Sequence, residues 1–125
     1  MRMTRCPALR INWDIVNGWR ASELPWGNSV FSHIKGYVSQ VHVKGARANL
    51  DGSYRSMAQP GLDDVPHENL FSMLHESGFC GTVTIDPHYD QFDEKDRVHS
   101  HSPVLDVAKS SRAFLLRIIE RIKTQ

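Results

Sequence analysis

The sequence predicts an α/β protein in which three parallel strands are connected by helices. Short β-prone runs alternate along the chain with segments whose apolar residues recur at helical spacing. Parallel strands need a crossover connection, which is usually a helix, so this alternation predicts parallel pairing with the helices on one face. The chain has 125 residues and no internal repeat, so we expect one domain with its own core over residues 1–125.

The first elements are short. Leu9 to Trp13 is predicted as a strand that ends at Asp14, and Val30 to Lys35 as a helix that Gly36 terminates. Tyr37 to Val43 has a strongly β-prone composition and is predicted as the second strand.

The segment 44–64, "KGARANLDGSYRSMAQPGLDD", is predicted as one long loop. It is rich in Gly, Ser, Asp and Asn. Long loops are uncommon in compact domains and are usually functional or disordered, so this segment is a candidate functional loop.

A second helix is predicted to begin at Pro66, with Asp64 as its capping residue and Gly78 just past its end. Proline suits the first turn of a helix, and aspartate commonly accepts hydrogen bonds from the first free N–H groups. The helical spacing is carried by Leu70, Phe71, Leu74 and Ser77.

The last third of the chain is predicted as a strand, a polar loop and a long helix. The strand runs from Gly81 to Asp86, and the loop "PHYDQFDEKDRVHSHS" follows it. One apolar face then extends over nearly twenty residues and predicts a core-facing helix. That face comprises Val104, Val107, Ala108, Ser111, Phe114, Leu115, Ile118, Ile119 and Ile122.

Composition narrows the class of protein. The formal net charge is +1 and the 15 basic residues are scattered, which argues against nucleic acid or a membrane as the main partner. Cys6 and Cys80 have no metal-type spacing and are expected to be reduced thiols. The N-terminus lacks the apolar region of a secretory signal, and no apolar run reaches the roughly 18 residues of a membrane span. We therefore expect a cytoplasmic protein.

Each predicted strand ends in a residue that can bind a metal or transfer a proton: Asp14, His42 and Asp86. In parallel α/β folds, chemistry gathers at the carboxyl ends of the strands. Structural explanations also exist. Asp14 can cap the segment that follows it, and Asp86 before Pro87 can open a turn.

Four segments in order resemble the xylose isomerase-like TIM-barrel proteins, which are sugar and sugar-phosphate isomerases and epimerases. "NWDIVNGWR" resembles the end of their sixth strand, and "KGYVSQVHVKGAR" their seventh strand with its His-x-Lys-Asp pattern. "QPGLDDVPHENLFSMLHESGFCGTVTIDPHYD" is similar to the passage from the seventh loop to the end of strand eight, and the final helix would be the eighth. Over roughly residues 9–122, the resemblance implies a partial (β/α) TIM barrel made of the last three β/α units, a half-barrel fragment.

The resemblance also implies a site. Asp14, His42 and Asp86 match metal-ligand positions for Mn²⁺, Mg²⁺, Co²⁺ or Zn²⁺, and Asp86 is also the implied catalytic acid and base. The metal would stabilise an enediolate formed from a small-molecule sugar. The implied sugar-binding residues are Asn17, Lys44, Arg47 and His88.

The sequence departs from the family pattern in three ways. A TIM barrel has eight strands and about 250 residues, and nothing before Asp14 supplies the family's first metal-binding glutamate. Asp86 stands where the family has glutamate, and Gly45 where it has aspartate.

Completion of the site therefore calls for a partner. Three parallel strands leave two open sheet edges and, by expectation, an uncovered apolar face. The partner would be a second copy of the chain or a complementary N-terminal half. The alternative is a non-catalytic half-barrel remnant, or a ligand-binding protein that dimerises. Endonuclease IV-type nucleases share the fold and rank third, because their additional metal ligands and basic DNA-binding face are not visible here.

Overall fold

The structure, a computed structural model, describes residues 8–21, 28–86 and 103–124. Within these ranges the chain forms five strands, four α-helices and a 3-10 turn at Lys35–Tyr37. The elements are β1 (Ile11–Asp14), α1 (Ile15–Arg20), α2 (Asn28–Ile34), β2 (Val38–Val43), β3 (Gly45–Ala48), β4 (Tyr54–Ala58), α3 (His67–Glu76), β5 (Thr82–Ile85) and α4 (Pro103–Lys123).

The central sheet is parallel, as predicted, with strand order β1-β2-β5. Asp14 is paired with His42, and His42 is paired with Thr84, so the carboxyl ends of the three strands lie side by side. The fold is mixed α/β and consistent with part of a TIM barrel, although the described strands form an open sheet rather than a closed barrel.

The two faces of this sheet differ in polarity because successive side chains point to opposite sides. Trp13, Val41 and Val43 are buried and belong to one core cluster with residues of all four helices. The helices therefore cover the apolar face. The helix residues of this cluster are Ile15, Val16, Trp19, Phe31, Leu70, Phe71, Leu74, Leu115 and Ile118.

The other face carries Asn12, Gln40, His42 and Thr84, which are partly or fully exposed. The expected uncovered apolar face is therefore wrong for the described part of the sheet. The uncovered face is polar, since the apolar residues of the strands alternate with these side chains and already pack against the helices.

The prediction of one long loop over 44–64 is wrong as well. Most of this segment is an antiparallel hairpin of β3 and β4. Ala46 and Met57 are buried on its inner side, and the Trp19 indole N–H donates to the Gly52 carbonyl at 3.0 Å. The residues of this segment are mostly small or polar, so its strands are hard to recognise from the sequence. Packing against α1 stabilises them.

Gly45 explains one departure from the family pattern. A Cβ atom at this position would lie 2.7 Å from the Pro60 backbone N and 2.8 Å from the Gln59 carbonyl carbon, with the Ala58 carbonyl oxygen also in collision. The hairpin returns so close to Gly45 that the aspartate of the family pattern has no room here.

Asp64 does not cap α3, contrary to the prediction. The helix begins at His67 after Pro66, and no side chain caps it. The Asp64 carboxylate instead accepts the Ala48 N–H at 2.9 Å, which ties the hairpin to the start of α3. Gly78, with φ of +71°, ends α3 as predicted.

A buried aspartate–histidine pair also connects the hairpin to the start of α3. His67 Nε2 lies 2.9 Å from Asp63 Oδ2, and the two side chains are 2% and 1% exposed. The Asp63 carboxylate also accepts the backbone N–H groups of Gly61 at 2.9 Å and Ala46 at 3.3 Å. The His67 ring packs edge-on against Phe114 of α4 at 5.5 Å between centroids. This pair therefore joins the hairpin, α3 and α4.

The long C-terminal helix is close to its predicted bounds. It spans Pro103–Lys123, against a predicted 104–122. Ser111, Leu115 and Ile118 are buried on the predicted apolar face. No helix in the described ranges is both long enough and apolar enough to cross a bilayer. Cys80 is an exposed free thiol, while Cys6 lies outside the described residues.

Candidate active site

Three side chains meet at the carboxyl ends of the parallel strands. Asp14 ends β1, His42 lies near the end of β2, and Asp86 directly follows β5. One ligand atom from each residue lies within 4.8 Å of the other two. The backbone places them together, because the register aligns Asp14 with His42 and the Asp86 N–H continues the ladder to the Val43 carbonyl at 3.0 Å.

Asp14 has two roles at once. Its Oδ1 accepts the Asn17 N–H at 3.0 Å and caps α1. Its Oδ2 points to the cluster, 3.9 Å from His42 Nδ1. The capping function and the site function proposed from the sequence are therefore compatible, and the cap fixes the direction in which Oδ2 points.

Lys44 lies at the centre of the cluster. Its ammonium nitrogen is 2.8 Å from Asp14 Oδ2 and 3.1 Å from Asp86 Oδ2, and its side chain is only 7% exposed. Burial lowers the pKa of Lys44, but hydrogen bonds and attraction from Asp14 and Asp86 outweigh it, so the pKa is raised above 10.5. Lys44 is therefore a charged ammonium that bridges the two carboxylates at neutral pH.

The His42 ring is oriented by side-chain amides on the polar face of the sheet. Its Nε2 lies 3.0 Å from the Asn12 amide nitrogen and 3.3 Å from the Gln40 amide nitrogen. Gln40 in turn donates to the Thr84 hydroxyl at 3.1 Å. An amide nitrogen can only donate, so in this arrangement Nε2 accepts and the ring proton resides on Nδ1.

The donor set fits a small divalent cation. Two carboxylates and one imidazole are ligands that suit Mn²⁺, Mg²⁺, Co²⁺ and Zn²⁺. Ligands on one such ion lie about 3 to 4 Å apart, because each bond is near 2.1 Å. The separations of 3.9 Å and 3.6 Å from His42 Nδ1 to Asp14 Oδ2 and Asp86 Oδ2 are in that range. Three ligands leave coordination positions for a substrate or a further protein ligand.

The other predicted sugar-binding residues differ in position. Asn17 lies next to the cluster through its backbone bond to Asp14, and its side chain is exposed. Arg47 is exposed on β3, and within the described ranges no hydrogen bond or ion pair joins it to the cluster. His88 lies outside the described residues.

Sequence reasoning missed Asn12, Gln40 and Thr84. The signal that could have found Gln40 is the period of two in Gln40-x-His42-x-Lys44, which places Gln40 and His42 on one face of β2 and predicts the same side for Lys44, the residue after the strand. Asn12 and Thr84 become visible only through the register of the neighbouring strands, which the sequence of a single strand does not contain.

Comparison with solved structures identifies the fold. Over 97% of its length, the chain superposes on part of the xylose isomerase domain protein from Planctomyces limnophilus, with a TM-score of 0.70 and 21% sequence identity. The chain spans 39% of the length of that protein. No protein-family model matches the chain, and no curated protein matches it in sequence. The structural match confirms the resemblance read from the sequence, namely a fold that corresponds to a part of a xylose isomerase domain protein.

Proposed function

We propose that this chain is part of a metal-dependent sugar or sugar-phosphate isomerase or epimerase, and that residues 1–125 form one half-barrel domain made of the last three β/α units. The observation that carries the proposal is the convergence of Asp14, His42 and Asp86 at adjacent strand ends of a xylose isomerase-like fold. In parallel α/β folds this edge is where substrates bind.

We assign different roles to the residues of the site according to how firmly each side chain is held and how exposed it is. Asp14 is the fixed ligand, since its cap bond to Asn17 leaves Oδ2 facing the cluster. Asp86 is the group we assign to proton transfer, because its side chain is 26% exposed and accessible to a substrate carbon. A bound divalent cation would act as a Lewis acid that polarises the sugar carbonyl and stabilises the enediolate.

His42 serves as the third ligand, and its neighbours set its orientation. Asn12 and Gln40 hold Nε2 so that Nδ1 faces the carboxylates. Ligation through Nδ1 would require that nitrogen to give up its proton, because a ligating nitrogen needs a free lone pair. Asn17, Lys44, Arg47 and His88 are proposed to bind the hydroxyl or phosphate oxygens of the sugar.

A partner completes the barrel in this proposal. β1 and β5 are the two edges of the described sheet, and each presents unpaired backbone groups to a further strand. A second copy of the chain or a separate N-terminal half would pair there and supply the missing acidic ligand. The chain superposes on 39% of the Planctomyces protein, which is therefore about two and a half times as long as this chain.

Calorimetric titration with Mn²⁺ tests the proposed metal site. We expect the wild-type protein to bind Mn²⁺ and the His42→Ala variant to bind at least about tenfold more weakly, a loss that even outer-shell partners produce. His75→Ala is the matched control, because His75 is exposed on α3 and is not part of the cluster. Equal affinities of wild type and His42→Ala would refute the site.

The solution mass and a sugar screen test the remaining parts. Light scattering distinguishes a dimer, which supports completion by a second copy, from a monomer, which opposes it. Aldose and ketose substrates are then supplied with Mn²⁺ and followed for interconversion. Turnover that disappears in Asp86→Asn supports the assigned proton transfer, and turnover that persists opposes it.

A ligand-binding protein without catalysis is the second candidate. The observation in its favour is Lys44, whose ammonium already neutralises part of the carboxylate charge. This candidate predicts sugar binding that does not require Mn²⁺ and no interconversion of the bound sugar.

A further inference from the structure

The carboxylate oxygens that would bind a metal ion already have a cation beside them. Asp14 Oδ2 and Asp86 Oδ2 are the atoms that face His42 Nδ1, at 3.9 Å and 3.6 Å. The same two atoms lie 2.8 Å and 3.1 Å from the Lys44 ammonium. A divalent ion and the ammonium would therefore need the same two oxygens.

The position of the ring proton of His42 also opposes metal binding. Its Nε2 accepts from the Asn12 and Gln40 amides, so the proton on Nδ1 is directed toward the carboxylates. A metal ligand would need a lone pair on that nitrogen instead. Two donors, one from Lys44 and one from His42, thus face the pair of carboxylates.

Charge makes joint occupancy unfavourable. Two carboxylates and a divalent ion sum to zero, whereas two carboxylates, a divalent ion and the Lys44 ammonium would leave one positive charge. An ammonium within a few ångströms of a divalent ion is repelled by it, and the repulsion is strong where water is scarce. Lys44 is 7% exposed, so solvent screens it little.

We propose that Lys44 is a tethered cation that substitutes for the metal in the metal-free site, and that a divalent ion binds only when its ammonium withdraws from Asp14 and Asp86. The inference rests on the proposed function and assigns to Lys44 control over metal affinity. In the metal-free protein the ammonium keeps the two carboxylates close together against their mutual repulsion. It thereby preserves the geometry of the site and opposes the ion that would replace it.

The test compares Mn²⁺ affinities of the full chain by calorimetry. Lys44→Met removes the charge and keeps most of the side-chain volume, and we expect it to bind Mn²⁺ at least about tenfold more tightly than wild type, or about 1.4 kcal/mol. Lys44→Arg keeps the charge and should remain as weak as wild type. Lys109→Met, at an exposed position of α4, controls for the loss of one positive charge elsewhere.

A second variant and a second measurement keep the test independent of folding defects in Lys44→Met. Lys44→Gln retains a hydrogen-bond donor and should show the same gain in affinity. In the wild-type protein, acetic anhydride labelling followed by mass spectrometry should modify Lys44 faster once Mn²⁺ is present, with Lys109 as the internal reference.

The outcomes separate the two proposals. If wild type binds Mn²⁺ and neither Lys44→Met nor Lys44→Gln binds more tightly, the role of Lys44 is wrong and the metal site stands. If neither wild type nor these variants bind Mn²⁺, the proposed metal-dependent function fails, and this inference fails with it. Unchanged labelling of Lys44 at saturating Mn²⁺ also overturns the inference.

Discussion

Among the described residues, two aspartate–histidine arrangements differ in their surroundings. Asp63 and His67 are buried, 2.9 Å apart, and the carboxylate has backbone donors on its remaining lone pairs. His42 at the strand ends is 26% exposed and lies 3.6 Å from the Asp86 carboxylate, beyond hydrogen-bond distance.

The difference shows how the same residue types take on structural or functional roles. A buried carboxylate must have its hydrogen bonds made within the protein, and Asp63 therefore holds the hairpin, α3 and their connection in one arrangement. At the strand ends the partners of Asp86 and His42 can be exchanged for water, a metal or a substrate without a large penalty. We therefore expect mutations to separate stability at the first pair from ligand binding at the second.

The largest effect is expected from Asp63→Ala. Removal of this carboxylate leaves the buried His67 ring and the buried Ala46 N–H without their acceptor, and the exposed Gly61 N–H without its bond to Asp63. We expect the free energy of unfolding to fall by about 3 to 5 kcal/mol, measured by urea denaturation. Asp86→Ala is the counterpart and should cost less, because Asp86 is partly exposed and Asp14 remains as a partner of the Lys44 ammonium. Equal losses would contradict the distinction between the two regions.

The next effect concerns the backbone that links the two regions. Gly45 follows Lys44 and is the first residue of the hairpin, and an alanine there would press against the backbone of Gln59 and Pro60. We expect Gly45→Ala to lower the free energy of unfolding by about 1 to 3 kcal/mol, the range for overpacking. Gly36→Ala is the control, since a Cβ at Gly36 meets nothing within 4 Å. A neutral Gly45→Ala would mean that the hairpin moves freely relative to the site.

A smaller effect separates the two roles of Asp14. Asp14→Ala removes the cap of α1 and one partner of Lys44, and we expect a loss of about 1 kcal/mol in unfolding free energy. Asp14→Asn retains an oxygen that can accept the Asn17 N–H, so it should preserve most of the stability while it weakens Mn²⁺ binding. If both variants lose the same stability, the cap contributes little.

The smallest effect is expected at alkaline pH. Because the folded-state pKa of Lys44 lies above 10.5, its contribution to stability is fully present below that value and is lost as the pH rises through the folded-state pKa. The wild-type melting temperature should therefore fall more steeply above pH 10.5 than that of Lys44→Met. Parallel curves for the two proteins would show that the ion pairs of Lys44 do not stabilise the fold.

The elements that the sequence predicted well are those with strong local periodicity. The strand at 37–43, the helix that Gly78 ends and the long C-terminal helix all lie within a few residues of their predicted bounds. Each depends on apolar spacing and terminating residues that are adjacent in the chain.

The features that were predicted wrongly have one physical cause in common: they depend on contacts with residues far away in the sequence. The hairpin at 45–58 is stabilised by contacts with α1 and by the bonds of Asp63 and Asp64 to Ala46 and Ala48. Asp64 was predicted as a helix cap because the local pattern permits it, but its carboxylate accepts the backbone N–H of Ala48 in β3 instead.

The sequence by itself determined that this protein is an α/β protein with parallel strands, and it placed Asp14, His42 and Asp86 at the ends of those strands. Local periodicity is sufficient for this, since it defines where strands end. Only the tertiary structure decided that these ends meet around Lys44, because the strand register fixes which side chains share a face. The position of the ammonium between two carboxylates follows from that register, and a one-residue shift would place Lys44 on the opposite face of the sheet.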